Sequence, residues 1–223
     1  MRRRKNSQQP NLKSVRVMVM GRDGVGKTAL IVRYLTRRYI HEYDKTLEST
    51  YRHHLQIENE FIYLDLMDTA GENNQSKLER CLSNGDMFLL LYSIVDHASF
   101  DEVARIARYI KDHKYQEARL LILIGNKRDL EHIRKVDETE GSALAQELDC
   151  PFYEISVSEC DGYKEVSDMV YMCLKKYLQN DKQDNMTKAR AASSPLSTSS
   201  LIKMKDGWMR KAGAMRRKSV TTL

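Results

Sequence analysis

No stretch of this 223-residue chain is apolar for long enough to cross a membrane, and its charged start lacks the apolar core of a signal peptide. Cysteine is scarce. Cys81, Cys150, Cys160 and Cys173 stand far apart with no C-x-x-C pair, which argues against a zinc site or a disulfide framework and suits a reducing cytosol. The end Ser219-Val220-Thr221-Thr222-Leu223 has no C-a-a-X cysteine, and no glycine follows Met1, so no lipid anchor is expected. Acidic residues are missing from residues 1–16, whose charge is +6, and rare in residues 181–223, whose ten Lys/Arg and three Asp give +7. The whole chain carries only +6, so the body from 17 to 180 is acidic, at −7. Basic character belongs to the two ends, and nucleic-acid binding by the folded body is not expected.

What is present is enough apolar content, 41%, for a sizeable core, as one domain plus extensions or two small domains. Residues 1–14 read as a basic disordered extension, 15–180 as the folded domain, and 181–223 as a basic, mostly disordered tail that begins linker-like. Within the body, Val15–Met20 is a strand and Lys27 to Tyr39 a helix. A strand near Tyr51–Ile57 turns at Asn59-Glu60 into Phe61–Met67. Met87–Ile94 and Leu120–Gly125 are continuous apolar runs, as strands covered on both faces require. Val103, Ile106, Ala107 and Ile110 mark a helix over 99–115, Thr139–Leu148 is another, and Pro151–Ile155 is a last strand before a helix through Val166, Val170 and Tyr177. Alternating strands and helices, together with the glycine-rich stretch Gly21–Thr28 that fits a phosphate-binding P-loop, predict an α/β, doubly wound P-loop fold. Its expected form is a six-stranded, mostly parallel sheet with one antiparallel edge strand and about five helices.

The stretch Gly21-Arg22-Asp23-Gly24-Val25-Gly26-Lys27-Thr28 fits G-x-x-x-x-G-K-S/T between a strand and a helix. Backbone N–H groups from Asp23, Gly24, Val25 and Gly26 through Ala29 can surround phosphate oxygens, and the helix N-terminus adds partial positive charge. Lys27 would reach the β- and γ-phosphates, and the Thr28 hydroxyl would sit on Mg²⁺. Asp68-Thr69-Ala70-Gly71 follows a buried strand; Asp68 can hold Mg²⁺ and Gly71 can offer an N–H to a γ-phosphate. Taken alone, that tetrapeptide is an ordinary turn. Asn126-Lys127-Arg128-Asp129 ends another strand, and the Asp129 carboxylate can accept the two edge donors that guanine has and adenine lacks. Ser156-Val157-Ser158 can supply N–H groups to the guanine oxygen.

In order and spacing these motifs resemble the Ras-like small GTPases, over roughly residues 14–180. The segment Glu42 to His53 looks most like the branch named for the Ras-related, oestrogen-regulated growth inhibitor. The resemblance implies a GTP/GDP switch with Mg²⁺ held by Thr28, Thr46 and Asp68, and catalysis involving Lys27, Gly71 and Glu72. Thr46 would make 41–51 the first switch and 68–84 the second, both facing effectors, with an exchange factor as a further partner. Tyr39 falls where the family sets an aromatic ring on the guanine; a core tyrosine is the alternative.

Two departures matter. Asp23 stands where Ras proteins have a glycine near the γ-phosphate; its side chain would crowd the space of an arginine finger, a group that contributes about 10³–10⁵ in rate in Ras, and its charge would oppose the phosphate's. Glu72 replaces the water-orienting glutamine; a carboxylate accepts but cannot donate, and adds negative charge. Slow hydrolysis, poorly stimulated by Ras-type activating proteins, is the expectation. A GTP-loaded adaptor that does not hydrolyse is the alternative, and a P-loop kinase lacks its arginine-bearing lid. The tail holds Trp208 among basic residues, which suits anionic membrane, calmodulin or a nuclear address, and Thr221-Thr222-Leu223 suits a PDZ-type groove. A solvated tail is the alternative. The expected location is cytoplasmic, with nuclear or weak membrane association left open.

Overall fold

Two apolar runs, Met87–Ser93 and Leu120–Asn126, lie side by side in parallel inside a six-stranded sheet, and every residue of the first is buried. In this computed structural model, which describes residues 13–38, 49–69, 73–113, 120–159 and 161–193, the strands are β1 (Lys13–Met20), β2 (Ser49–Ile57), β3 (Glu60–Asp68), β4 (Met87–Ser93), β5 (Leu120–Asn126) and β6 (Phe152–Glu154). Their order is β2-β3-β1-β4-β5-β6. All neighbours are parallel except β2 and β3, so the antiparallel strand stands at the edge, as expected. The helices are α1 (Lys27–Thr36), α2 (Gln75–Asn84), α3 (His97–His113), α4 (Glu138–Leu148) and α5 (Gly162–Ser193), with a short 3-10 helix at Arg128–Ile133. None of the described helices is long and apolar enough to cross a membrane.

Strand alternation sorts the core into two layers. Val15, Val17 and Val19 of β1, with Leu89 and Leu91 of β4, pack in one layer against Leu30 and Ile31 of α1 and Val166 and Val170 of α5. Met18, Met20, Phe88, Leu90 and Tyr92 point the other way, onto Leu78 of α2, Ile106 of α3 and Leu144 of α4. A sheet covered on both faces is the doubly wound arrangement, and it leaves the loops after β1, β3 and β5 along one edge.

Element ends depart from the sequence expectation where the backbone, not the side-chain pattern, sets them. Helix α1 stops at Thr36 because Arg37 adopts φ 61° and donates back to the Arg33 carbonyl; Tyr39 lies outside the described residues. The β2–β3 turn is at Glu58-Asn59, one residue earlier than expected. Glu60 pairs with Ile57, and Glu58 holds φ 53°, its carboxylate 2.9 Å from Lys175 Nζ. Across the same hairpin, Arg52 meets Asp65 with Nε–Oδ1 at 2.6 Å and Nη2–Oδ2 at 2.8 Å, and Ser14 donates to Asp65 Oδ2 at 2.9 Å. Those bonds, Arg52's foremost, hold the Asp65 carboxyl below its ordinary range against the opposing effect of burial.

The chain divides into units 1–181 and 182–223. The composition shift at Asp181 does not end the helix. α5 runs to Ser193, so the start of the expected linker is helical. Its residues include Lys182, Gln183, Met186 and Ala189, which are good helix formers. Residues 1–12 and 194–223, with the tail expectations attached to them, lie outside the described residues.

Candidate functional site

The loop between β1 and α1 is built on glycine geometry. A Cβ on Gly21 would lie 2.1 Å from the Leu91 carbonyl oxygen, and Gly26, at φ 104°, would place one 2.4 Å from Asn126 Nδ2. Only glycine lets the loop close on β4 and β5 at these two points. Gly26 then caps α1 with no side-chain hydrogen bond, and the first turn has no acid. The free N–H groups of that helix end therefore face outward without a protein acceptor among the described residues, which suits an anion.

Lys27 is 7% exposed, and its Nζ donates to the carbonyls of Gly21 and Arg22, each at 3.0 Å. It also meets Asp23 Oδ1 at 3.4 Å, from a side chain that is 62% exposed. The lysine is held inside its own loop by three oxygens. Next to it, Thr28 Oγ1 donates to Asp68 Oδ2 at 2.5 Å, joining the start of α1 to the end of β3. The other oxygen, Asp68 Oδ1, is buried with no hydrogen-bond partner among the described residues. Burial raises this carboxyl's pKa, while the Thr28 bond and the charges of Lys27 and Lys77 act in the other direction. An unmet buried carboxylate oxygen beside a hydroxyl fits a hard divalent cation. No cluster of three or more His, Cys, Asp or Glu exists among the described residues, and Mg²⁺ bound with phosphates needs none.

The second half of the site gathers the ends of β5 and β6. Asn126 straps it together: its Nδ2 donates to the Val25 carbonyl at 2.8 Å, and its Oδ1 accepts from Val157 N at 3.3 Å. Lys127 adopts φ 70°, a conformation unusual for a side-chain-bearing residue, and leads into Asp129. Asp129 is exposed, and its Oδ1 accepts from the buried Ser156 hydroxyl at 2.6 Å. Ser156 Oγ also lies 3.0 Å from Ser158 Oγ and accepts from Glu159 N at 3.3 Å. One carboxylate is thus aimed by a fixed hydroxyl at the loop edge.

A phosphate loop, a β3-end carboxylate and an Asn-Lys-x-Asp loop therefore share one edge of this sheet. The Ras family model matches residues 16–178. The chain belongs to the Ras family. It is 40% identical over 179 residues to the Ras-related and estrogen-regulated growth inhibitor of Homo sapiens, covering 80% of this chain and 89% of that protein, and equally to the Bos taurus protein. It is 33% identical over 186 residues to Ras-like protein family member 11B of Mus musculus, covering 80% of this chain and 74% of the relative. As a Ras-family protein it is a guanine-nucleotide-binding switch with GTPase chemistry, and signalling through such switches runs through effectors and exchange factors.

The structure brings Asp23, Gly24, Val25, Gly26, Lys27, Thr28 and Ala29 to one edge with Asp68, Asn126, Lys127, Asp129, Ser156, Val157 and Ser158. Tyr39, Thr46, Gly71 and Glu72 lie outside the described residues. Two participants escaped sequence reading. The first is the Ser156 side chain, assigned beforehand only through its backbone. The second is Arg33, 7% exposed on α1, whose Nη2 donates to the Glu159 carbonyl at 2.5 Å and pins the 156–159 loop. A charged residue one turn from Leu30 on the buried stripe of α1 was its only signal.

Proposed function

We propose that this Ras-family switch hydrolyses GTP slowly and responds weakly to proteins that supply an arginine finger. The observation that carries the reading is the Asp23–Lys27 pair at 3.4 Å. Phosphate oxygens would meet Lys27 with the Asp23 carboxylate still beside it. A like charge next to the γ-phosphate weakens the transition-state stabilisation that Lys27 provides, and it occupies the approach an external guanidinium needs. Glu72 accepts a hydrogen bond from the attacking water but donates none to the phosphoryl oxygens.

Thr28 and Asp68, with Thr46, would hold Mg²⁺, which neutralises charge on the β- and γ-phosphates when bound. Asp129 would accept the ring and exocyclic N–H groups of guanine while Ser156 keeps its carboxylate in place. In hydrolysis the water oxygen bonds to the γ-phosphorus, the bond to the β–γ bridging oxygen breaks, and GDP and phosphate leave. Residues 41–51 and 68–84 would present the nucleotide state to effectors.

The nucleotide carried by freshly purified protein, identified by mass, tests the reading. A mixture containing GDP supports slow turnover; GTP alone, persisting on incubation, would favour the non-hydrolysing adaptor that the two extra carboxylates, Asp23 and Glu72, also suit.

A further inference from the structure

Helix α1 carries Lys27 and Thr28 at its start, beside the phosphate loop, and Arg33 about two turns further on. The Arg33 guanidinium touches two backbone carbonyls. Its Nη2 donates to Glu159 O at 2.5 Å, and its Nη1 reaches the carbonyl of Arg37, the residue that closes α1, only at 3.5 Å. The shorter bond is the stronger one, so Glu159 and not the helix end is the main partner. Glu159 carries the contact onward. Its N–H donates to Ser156 Oγ at 3.3 Å, and the Ser156 hydroxyl donates to Asp129 Oδ1 at 2.6 Å.

Chemistry fixes the direction of each of these bonds. A guanidinium and a backbone N–H only donate, and a carboxylate accepts. A hydroxyl has a single hydrogen, so that of Ser156 goes to Asp129, and the Ser158 hydroxyl, 3.0 Å away, is the donor of the serine pair. The bonds therefore run in one sense, from α1 through Glu159 and Ser156 to Asp129. A second link joins the same parts: the Glu159 carboxylate lies 3.7 Å from Arg128 Nη2, beside Asp129 in sequence. That pair is long and solvent-exposed, so it adds little. We propose that Arg33 is a positioning residue for base selection. Through the Glu159 backbone and the Ser156 hydroxyl it fixes the aim of Asp129, and so sets how strongly the site prefers guanine to a purine that lacks the exocyclic amine. The proposal rests on the guanine-nucleotide reading of the site. It gives one helix two duties, phosphate holding at its start and base selection from Arg33.

The test titrates the full chain, with Mg²⁺, against GDP, inosine diphosphate and inorganic triphosphate. Inosine diphosphate keeps the ring N–H that Asp129 would accept but has no exocyclic amine. Arg33→Met removes every donor. Arg33→Gln keeps an amide, but its nitrogen reaches only to where the arginine Nε stands, two bonds short of Nη2. Either variant that folds carries the test, and its binding of triphosphate reports that it has folded. The expected result is GDP weakened about tenfold, inosine diphosphate by no more than about threefold, and triphosphate unchanged. In a Ser156→Ala background, where the path to Asp129 is already cut, Arg33→Met should weaken GDP by less than about threefold more. Equal losses for the two diphosphates would overturn the proposal, as would wild-type binding of GDP by the variants. So would a matching loss for triphosphate, or variants that bind none of the three, since either marks a residue that supports the whole fold. A further tenfold loss in the Ser156→Ala background would show that Arg33 does not act through the serine. Failure of the wild-type chain to bind GDP, or to prefer it to inosine diphosphate, would sink the site reading itself, and it shows in the wild-type arm alone.

Discussion

Asp23 Oδ1 sits 3.4 Å from Lys27 Nζ, so the loop that binds phosphate also supplies a competitor for its own lysine. Replacing Asp23 with glycine removes that competitor and opens the approach to the γ-phosphate. Combined with Glu72→Gln, which restores an amide able to donate and accept, the change should make hydrolysis respond to a Ras-type activating protein by a factor of about 10³ or more. Stopped single-turnover assays on the double variant check this; an unresponsive double variant would place the block elsewhere.

The unmet oxygen of Asp68 predicts a metal dependence. Chelating Mg²⁺ should speed GDP release from the wild-type chain by about tenfold or more. Asp68→Asn should release GDP quickly with or without chelator, because the amide supplies no charge to the cation. Fluorescent GDP release at fixed temperature reads both. Equal sensitivity to chelator in the two proteins would contradict the assignment.

Ser156 aims Asp129 through a 2.6 Å hydrogen bond to a carboxylate, a class of bond worth about 1.5–3 kcal/mol. Ser156→Ala should therefore weaken GDP binding by about ten- to a hundredfold while leaving affinity for inorganic triphosphate unchanged, since the phosphate loop is not touched. Competition titrations with GDP and with triphosphate separate the two effects. Parallel losses for both ligands would mean that the serine supports the whole fold and not the base site.

Acid stability should report the Arg52–Asp65 pair. The Asp65 carboxyl is held below its ordinary value of 3.8 in the folded chain, so its contribution is fully present above pH 3.8. It is lost as pH falls from there through the lower folded value. Arg52→Met removes the main cause of the depression and should flatten that part of the stability curve, with the largest difference from wild type above pH 4. Urea unfolding across pH 3 to 7 measures it. Parallel curves for the two proteins would show that the pair is not linked to folding.

Much of this was readable because each strand announces itself. Met87–Ser93 and Leu120–Asn126 have no polar interruption that a solvent-facing strand would show, and the phosphate loop needs consecutive residues whose spacing is fixed by backbone chemistry. What escaped was set by partners far away in sequence. Arg33 meets Glu159 across 126 positions, and Asn73 meets Gly21 across 52, so neither contact leaves a local pattern. Helix ends fell out of register for a related reason: Arg37 stops α1 through its backbone φ, and α5 continues past Asp181 on helix propensity where polarity alone suggested a linker.

Single-turnover hydrolysis of GTP by the wild-type chain, with and without a Ras-type activating protein, tests the central claim most directly. The account predicts a slow intrinsic rate that the partner raises by less than about tenfold, against the roughly 10⁵ seen for Ras with its activator. Stimulation by several orders of magnitude would show that Asp23 and Glu72 leave the arginine finger its place, and would contradict the proposed restraint on this switch.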